Sequence, residues 1–296
     1  MKGHLITNLK NIQMKRYKSI LAVAFIFPLM IFSQEDAEAT EEPEVKLERA
    51  AFESTALIES QTNVLNTKGT LEMTMNHRFD LVDTDNSLIG LYGAANIRIA
   101  LSYAIHDRIT VGFGTTKDNR LQDFNLKGAI LRQTRGNEMP ISVSYYGNFT
   151  IDARQKNQGF FYNTEDRYSF FNQLIISKRF TRNISFMVAP SVSHYNVVEN
   201  TMKNDMFAIA FGGRAKISPQ TSIIAEYNQP ITTFDVGTPE PGVSLGVEFS
   251  TGSHAFQVFV TNYKGIVAQK NNMFNQNNFF DGDFMIGFNI TRLWHL

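Results

Sequence analysis

Five histidines lie beyond residue 33, and one of them, His194, stands beside Ser191 and Ser193. A serine next to a histidine that a third polar group orients is the arrangement nucleophilic hydrolysis needs. This segment is therefore the chain's candidate for a hydrolase. Pro190 can introduce a bulge, which leaves the direction of His194 open. His77, His106, His254 and His295 fall at predicted strand ends or turns, where packing is the ordinary role. No His/Asp/Glu set has metal-ligand spacing, so neither a metal nor another cofactor is expected. Gly112-x-Gly114 and Gly212-Gly213 lie inside strand-like runs with no helix after them. They are not phosphate loops. The residues predict a protein that is not an enzyme.

A second set of polar residues recurs on alternate positions: Glu72, Arg78, Arg98, Lys127, Arg179, Arg214, Lys216, Glu226 and Glu248. Arg98, Lys127, Arg214, Glu226 and Glu248 are the candidates for function. On the inside of a barrel they would line a polar pore whose field selects small anionic or zwitterionic solutes. The alternative is an interior ion-pair network that fills a narrow barrel and passes nothing.

The elements that would position them are strands. Ile97, Ile99, Leu101, Tyr103 and Ile105 alternate with Arg98, Ala100, Ser102 and Ala104. Phe207, Ile209 and Phe211 alternate with Ala208, Ala210 and Gly212, and Phe284, Ile286, Phe288 and Ile290 with Met285, Gly287, Asn289 and Thr291. A period of two gives a sheet with one apolar face and one small or polar face. About twelve such strands are predicted, near 69–79, 95–105, 108–115, 121–132, 139–148, 167–180, 183–195, 205–217, 220–229, 241–250, 254–262 and 283–294. Lengths near ten suit tilted strands that cross a bilayer. Short links (106–107, within 132–138, 181–182, 218–219, 251–253) alternate with longer ones (80–94, 116–120, 149–166, 196–204, 230–240, 263–282). Outer-membrane barrels alternate this way, with short turns in the periplasm. The prediction is an all-β, transmembrane, antiparallel up-and-down β-barrel with both termini periplasmic. The competing fold is a soluble β-sandwich, which would bury the apolar face inside.

Composition agrees. The chain has 296 residues, 28 bases against 28 acids, 43% hydrophobic residues, 25 Phe and no Cys. A balanced charge argues against a nucleic-acid binder. Zero Cys excludes disulfides and thiolate chemistry. Lys15, Arg16 and Lys18 precede an apolar run from Ile20 to Phe32, too short for a transmembrane helix. This is the pattern of a secretory signal over residues 1–33, with cleavage near Ser33/Gln34. Met14-Lys15-Arg16 opens a better-proportioned signal than Met1, so residues 1–13 are a candidate misassigned start. Removing 1–33 takes away Lys2, Lys10, Lys15, Arg16 and Lys18 and no acid, which leaves the mature chain acidic. That excess sits in residues 34–49, an acidic periplasmic tail expected to be disordered. Residues 50–68 are mildly amphipathic, through Phe52, Leu57, Ile58 and Val64, and form a leader that either plugs the lumen or lies below it. Residues 69–296 form the barrel.

Several segments carry a resemblance: His77-Arg78-Phe79, Ala95-Asn96-Ile97-Arg98, Asp107 to Gly114, Leu131-Arg132-Gln133, Ala189-Pro190-Ser191, Gly252 to Gln257 with Thr261-Asn262, and Gly287 to Arg292. In this order they resemble an uncharacterised Bacteroidota outer-membrane β-barrel family, a domain of unknown function. The resemblance spans roughly residues 50–294 and implies an outer-membrane barrel. It implies no catalytic or binding residue.

The expected function is a passive channel or small-solute-binding barrel in the outer membrane. The alternative is a non-conducting docking barrel that recruits another envelope component. A membrane-embedded lipid hydrolase is the third reading. Expected partners are outer-membrane lipid, an unidentified small solute, and the barrel assembly machinery through the aromatic C-terminal strand. The long loop 263–282, with Phe274, Phe279 and Phe280, is expected to fold over the barrel mouth or to meet a ligand.

Overall fold

The computed structural model of the chain describes residues 14–16, 46–82 and 88–296. The predicted export signal, apart from Met14–Arg16, and the acidic segment as far as residue 45 lie outside the described residues.

Alternating apolar and small or polar residues build twelve long strands. They are β1 (Thr70–Leu81), β2 (Asn96–His106), β3 (Ile109–Thr116), β4 (Leu121–Leu131), β5 (Ser142–Asp152), β6 (Tyr168–Arg179), β7 (Ile184–Tyr195), β8 (Asp205–Lys216), β9 (Thr221–Pro230), β10 (Gly242–Ser250), β11 (His254–Thr261) and β12 (Met285–His295). Each pairs antiparallel with its chain neighbours, and β12 returns to β1, from Met285↔Leu81 to His295↔Thr70. The result is a closed up-and-down barrel. A separate pairing of Met14–Arg16 with Val197–Glu199 lies outside it.

The outer face is the apolar one. Ile99, Leu101, Tyr103, Ile105, Phe207, Phe211, Leu245, Phe249, Phe256 and Val258 are each 36–56% exposed. Fully burying a side chain of this size is worth roughly 1.5–3 kcal/mol, and water on the exposed part of each forgoes a corresponding share, so this face needs lipid. Ala100, Ala104, Ala208, Ala210, Ser244 and Gln257 are buried on the inner face. A soluble sandwich requires the reverse and a second sheet, and the closed barrel excludes it.

Connections at one end are 107–108, 132–141, 180–183, 217–220 and 251–253. At the other end they are 82–95, 117–120, 153–167, 196–204, 231–241 and 262–284. The start of β1 and the end of β12 both lie at the short-turn end. Only β5 departs from the sequence expectation by more than two residues, at both ends: it runs to Asp152, not 148. β5 begins at Ser142, not 139, because Thr134 and Met139 close a turn: Thr134 N–H donates to Met139 O (3.0 Å) and Met139 N–H to Thr134 Oγ1 (3.0 Å).

Candidate functional site: the lumen and its leader

Small inward side chains leave room inside the barrel, and residues 46–68 occupy it. This leader starts at the short-turn end, on the 132–141 link. Leu47 bridges to Thr134, Glu48 N–H donates to Gln133 O (2.8 Å), and Arg135 N–H donates to Lys46 O (2.9 Å). Deeper in, the leader folds on itself. Ala56 bridges to Gln61, Thr62 N–H donates to Thr55 O (2.9 Å), and Leu57 N–H donates to Ser60 O (2.9 Å). Ala51, Phe52, Leu57 and Ile58 are buried in one apolar cluster with Tyr146, Phe171, Ile175, Met187 and Ile224 of the wall. Gly212 makes the approach possible, because a Cβ there would stand 2.6 Å from Leu57 Cδ1.

Four of the five predicted candidates hold this leader. Lys127 Nζ donates to Thr55 O (2.6 Å) and Val64 O (3.2 Å). Arg214 Nη1 donates to Glu53 Oε1 (2.7 Å), and Lys216 Nζ reaches the same oxygen at 2.9 Å. Glu226 accepts the backbone N–H groups of Glu59 (2.7 Å) and Ser60 (3.0 Å). Glu248 accepts from Ser54 Oγ (2.6 Å) and Gln257 Nε2 (2.8 Å). Thr55 and Asn66 donate to Glu72 at 2.7 and 2.8 Å. Arg78, fully buried, meets Glu59 at 3.0 Å, donates to Asn289 (3.0 Å) and lies over the Phe259 ring at 4.4 Å.

Arg98, the fifth candidate, pairs within the wall. It donates to both oxygens of Asp123 on β4, at 2.8 and 2.7 Å. Sequence reading missed Asp123, although it shares the inward parity of Lys127 on the same strand. Gly114 leaves the space, since a Cβ there would stand 2.5 Å from both the Arg98 guanidinium and the Asp123 carboxylate.

Glu53, at the shallow end of the leader, has its carboxyl held below the ordinary 4.5. Burial alone would raise it, but hydrogen bonds from Lys216 and Arg214 and their positive charges outweigh that.

The long-loop end is also closed. Loop 262–284 carries a short helix, α1 (Ala268–Phe274), that sequence reading did not separate from the loop. Gln269 Nε2 donates to Asn148 (2.9 Å) and Thr150 (2.8 Å), and Asn272 Nδ2 donates to Ser193 Oγ (3.1 Å). Asn228 Nδ2 in turn donates to Asn272 Oδ1 (2.7 Å) and Tyr263 (2.9 Å). Phe274 folds back edge-on to Tyr195 at 5.0 Å, whereas Phe280 remains 82% exposed.

Between the leader's tip and α1 lies a polar chamber of about 60 Å³, lined among others by Glu59, Ser60, Arg98, Asp123, Gln173, Asn228 and Asn272. Gln173 and Asn228 each keep a buried amide oxygen with no protein donor. A chamber of this size and polarity suits a few waters or a very small solute. A wider cavity of about 380 Å³ flanks the leader at the short-turn mouth, beside Glu48, Arg49, Asn63, Asp107 and Arg132.

The hydrolase arrangement does not assemble. Successive strand residues point to opposite faces, so His194 faces outward while Ser191 and Ser193 face the lumen. His194 Nδ1 meets Asp205 at 2.8 Å, but Nε2 meets Asn196 Oδ1 at 3.2 Å, where a nucleophile would have to stand. Ser193 Oγ accepts from Asn272 inside the barrel. His77 lies within β1, not at a strand end, and stacks on Phe288 at 4.9 Å.

A family model described as "Membrane bound beta barrel domain (DUF5777)" matches residues 52–294. No curated protein matches the chain. Among solved structures it is similar to the NanC porin (7% identity, TM-score 0.46, 76% of this chain and 99% of that one). It is similar to the KdgM porin at 7% identity, TM-score 0.45 and the same coverage. An outer membrane channel from Pseudomonas putida F1 aligns at 12% identity and TM-score 0.43, over 78% of this chain and 97% of that one.

Proposed function

We propose, for a chain that belongs to the membrane bound beta barrel domain (DUF5777) family, a solute channel of the outer membrane that its own leader and longest loop hold shut. One observation carries this reading: the lumen is filled by a chain segment, not by the wall. A barrel sealed by its own strands needs bulky inward side chains. Here the inward positions of β7 and β8 run Ser185, Met187, Ala189, Ser191, Ser193 and Met206, Ala208, Ala210, Gly212, Arg214. With the leader withdrawn, these positions and the wall charges would line a wetted tunnel. The alternation of turns and loops supports a periplasmic short-turn end, and on this reading the leader is a gate reached from that side. The basic-then-apolar N-terminal pattern supports export to the outer membrane, and the aromatic β12 is the strand offered to the assembly machinery.

Planar-bilayer recording of the full chain tests the reading. The parent should be mostly shut. A variant with Glu53→Gln and Glu59→Gln in the leader and Gln269→Ala and Asn272→Ala in α1 should conduct steadily. Silence of that variant across a wide voltage range, with the barrel correctly assembled, would sink the channel. The second reading, a non-conducting docking barrel, draws on the closure at both ends. It predicts an envelope partner that co-purifies with the parent and is lost when residues 35–48 are deleted.

A further inference from the structure

The leader's acids meet the wall's bases at three successive levels. At the mouth Glu48 stands 3.6 Å from Arg179 at the end of β6. Farther along the leader, Glu53 takes both Arg214 (2.7 Å) and Lys216 (2.9 Å) on β8. At the tip Glu59 meets Arg78 of β1 at 3.0 Å. The leader's own bases, Lys46, Arg49 and Lys68, stay exposed.

In the closed barrel the remaining wall charges are engaged elsewhere. Arg98 is matched by Asp123. Lys127 and Glu72 both bind Thr55 of the leader. Glu226 and Glu248 accept from backbone or hydroxyl groups of the leader, not from wall bases. Take away the leader and Arg78, Arg179, Arg214 and Lys216 lose their counter-ions. Arg78 and Arg214 are 0% and 3% exposed in the closed barrel. A guanidinium in such a place is strongly disfavoured without an anion or water to replace the carboxylate.

We propose that Arg179, Lys216, Arg214 and Arg78 form an anion-binding track, filled in the closed barrel by the leader's carboxylates and taken over by an anionic solute when the leader withdraws. This rests on the reading above that the leader leaves the lumen. The leader is thus an internal competitor, and a solute bearing several carboxylates favours the open barrel because it binds only there.

The chain has no cysteine, so Ala51→Cys, at a leader position 2% exposed, supplies a single thiol that reports withdrawal. The full chain carrying it is assembled in vesicles and treated with a hydrophilic maleimide in sodium citrate or sodium chloride at equal ionic strength. A ligand that binds only the open form raises its population by one plus the ratio of ligand to dissociation constant. Labelling should therefore be about tenfold faster at citrate some ten times its dissociation constant than in chloride. Arg214→Gln should raise labelling in chloride and shrink the citrate response. If Arg214→Gln does not assemble, Lys216→Gln on the same level provides the comparison. Equal labelling rates in citrate and chloride, with measurable labelling in both, overturn the anion track and leave the channel reading standing. No labelling in either salt, with full labelling after denaturation, means the leader stays in place, and both readings fall.

Discussion

Arg98 and Glu53 make ion pairs of different consequence. Arg98 serves Asp123, whose side chain is fully buried, and the amides of Asn148 (3.2 Å) and Asn125 (3.4 Å) also donate to that carboxylate without supplying a charge. Removing one partner of a buried pair costs about 3–5 kcal/mol, because the other charge is left without compensation. Arg98→Ala should therefore lower the urea midpoint of the vesicle-assembled barrel, and adding Asp123→Ala should recover most of the loss. An Arg98→Ala midpoint equal to the parent's would show that the pair is not structural. Glu53 is partly exposed and acts on the leader rather than on the barrel. Its carboxyl is held below 4.5 in the folded chain, so its contribution is present above that value and is lost as pH falls through the depressed one. Leader withdrawal, read by maleimide labelling at Ala51→Cys with the rate corrected for reagent pH dependence, should rise on acidification below the ordinary carboxylate range. Glu53→Gln should flatten that rise. A rise of the same size in Glu53→Gln would assign the acid response to other groups.

The strands were legible because lipid on one side and a wet or polar lumen on the other enforce a strict period of two. Phe207, Phe211 and Ile217 had to face out, and Arg214 and Lys216 in. The start of β5 was not legible, because side-chain and backbone bonds between Thr134 and Met139 decide it, and no alternation records them. The leader showed only as mild amphipathicity. Its partners Glu226 and Glu248 stand far along the chain and meet it only once the barrel closes. Helix α1 is a single AQKNNMF segment, too short to display a helical period. Asp123 was not singled out, although its parity with Lys127 alone points it inward. The same logic makes Gly212 the element-level test. A side chain at Gly212 must displace Leu57 Cδ1 or Met187 Cε, 2.6 and 2.8 Å from an added Cβ, whereas the neighbouring Gly213 finds its nearest atom at 3.9 Å. Gly212→Val should leave a barrel that still shifts on heating in gel migration, with labelling at Ala51→Cys several-fold faster. Gly213→Ala should match the parent. Parent-like labelling in Gly212→Val would mean that the leader does not depend on this close approach.

For the whole molecule the central question is whether the two closures act together. The leader binds Glu72, Arg78, Lys127, Arg214, Glu226 and Glu248. Helix α1 binds Asn148, Thr150, Ser193 and Asn228. Distinct wall residues hold the two, and the leader's tip and α1 face each other across the polar chamber of about 60 Å³. Ala268 of α1 packs against the apolar cluster that holds the leader, but Gln269 and Asn272 share no hydrogen-bond partner with the leader, and groups without a shared partner are expected to respond independently, with free energies that add. Gln269→Ala with Asn272→Ala should therefore leave labelling of the leader at Ala51→Cys unchanged. Conductance should behave otherwise, because current needs both ends open at once. If each set of substitutions alone raises the open probability by some factor, their combination should raise it by about the product of the two. A combined effect no larger than the better single one would show that one closure controls the passage alone. Faster leader labelling in the α1 variant would show that the chamber transmits the opening from one end to the other, and the barrel would then be a single gate.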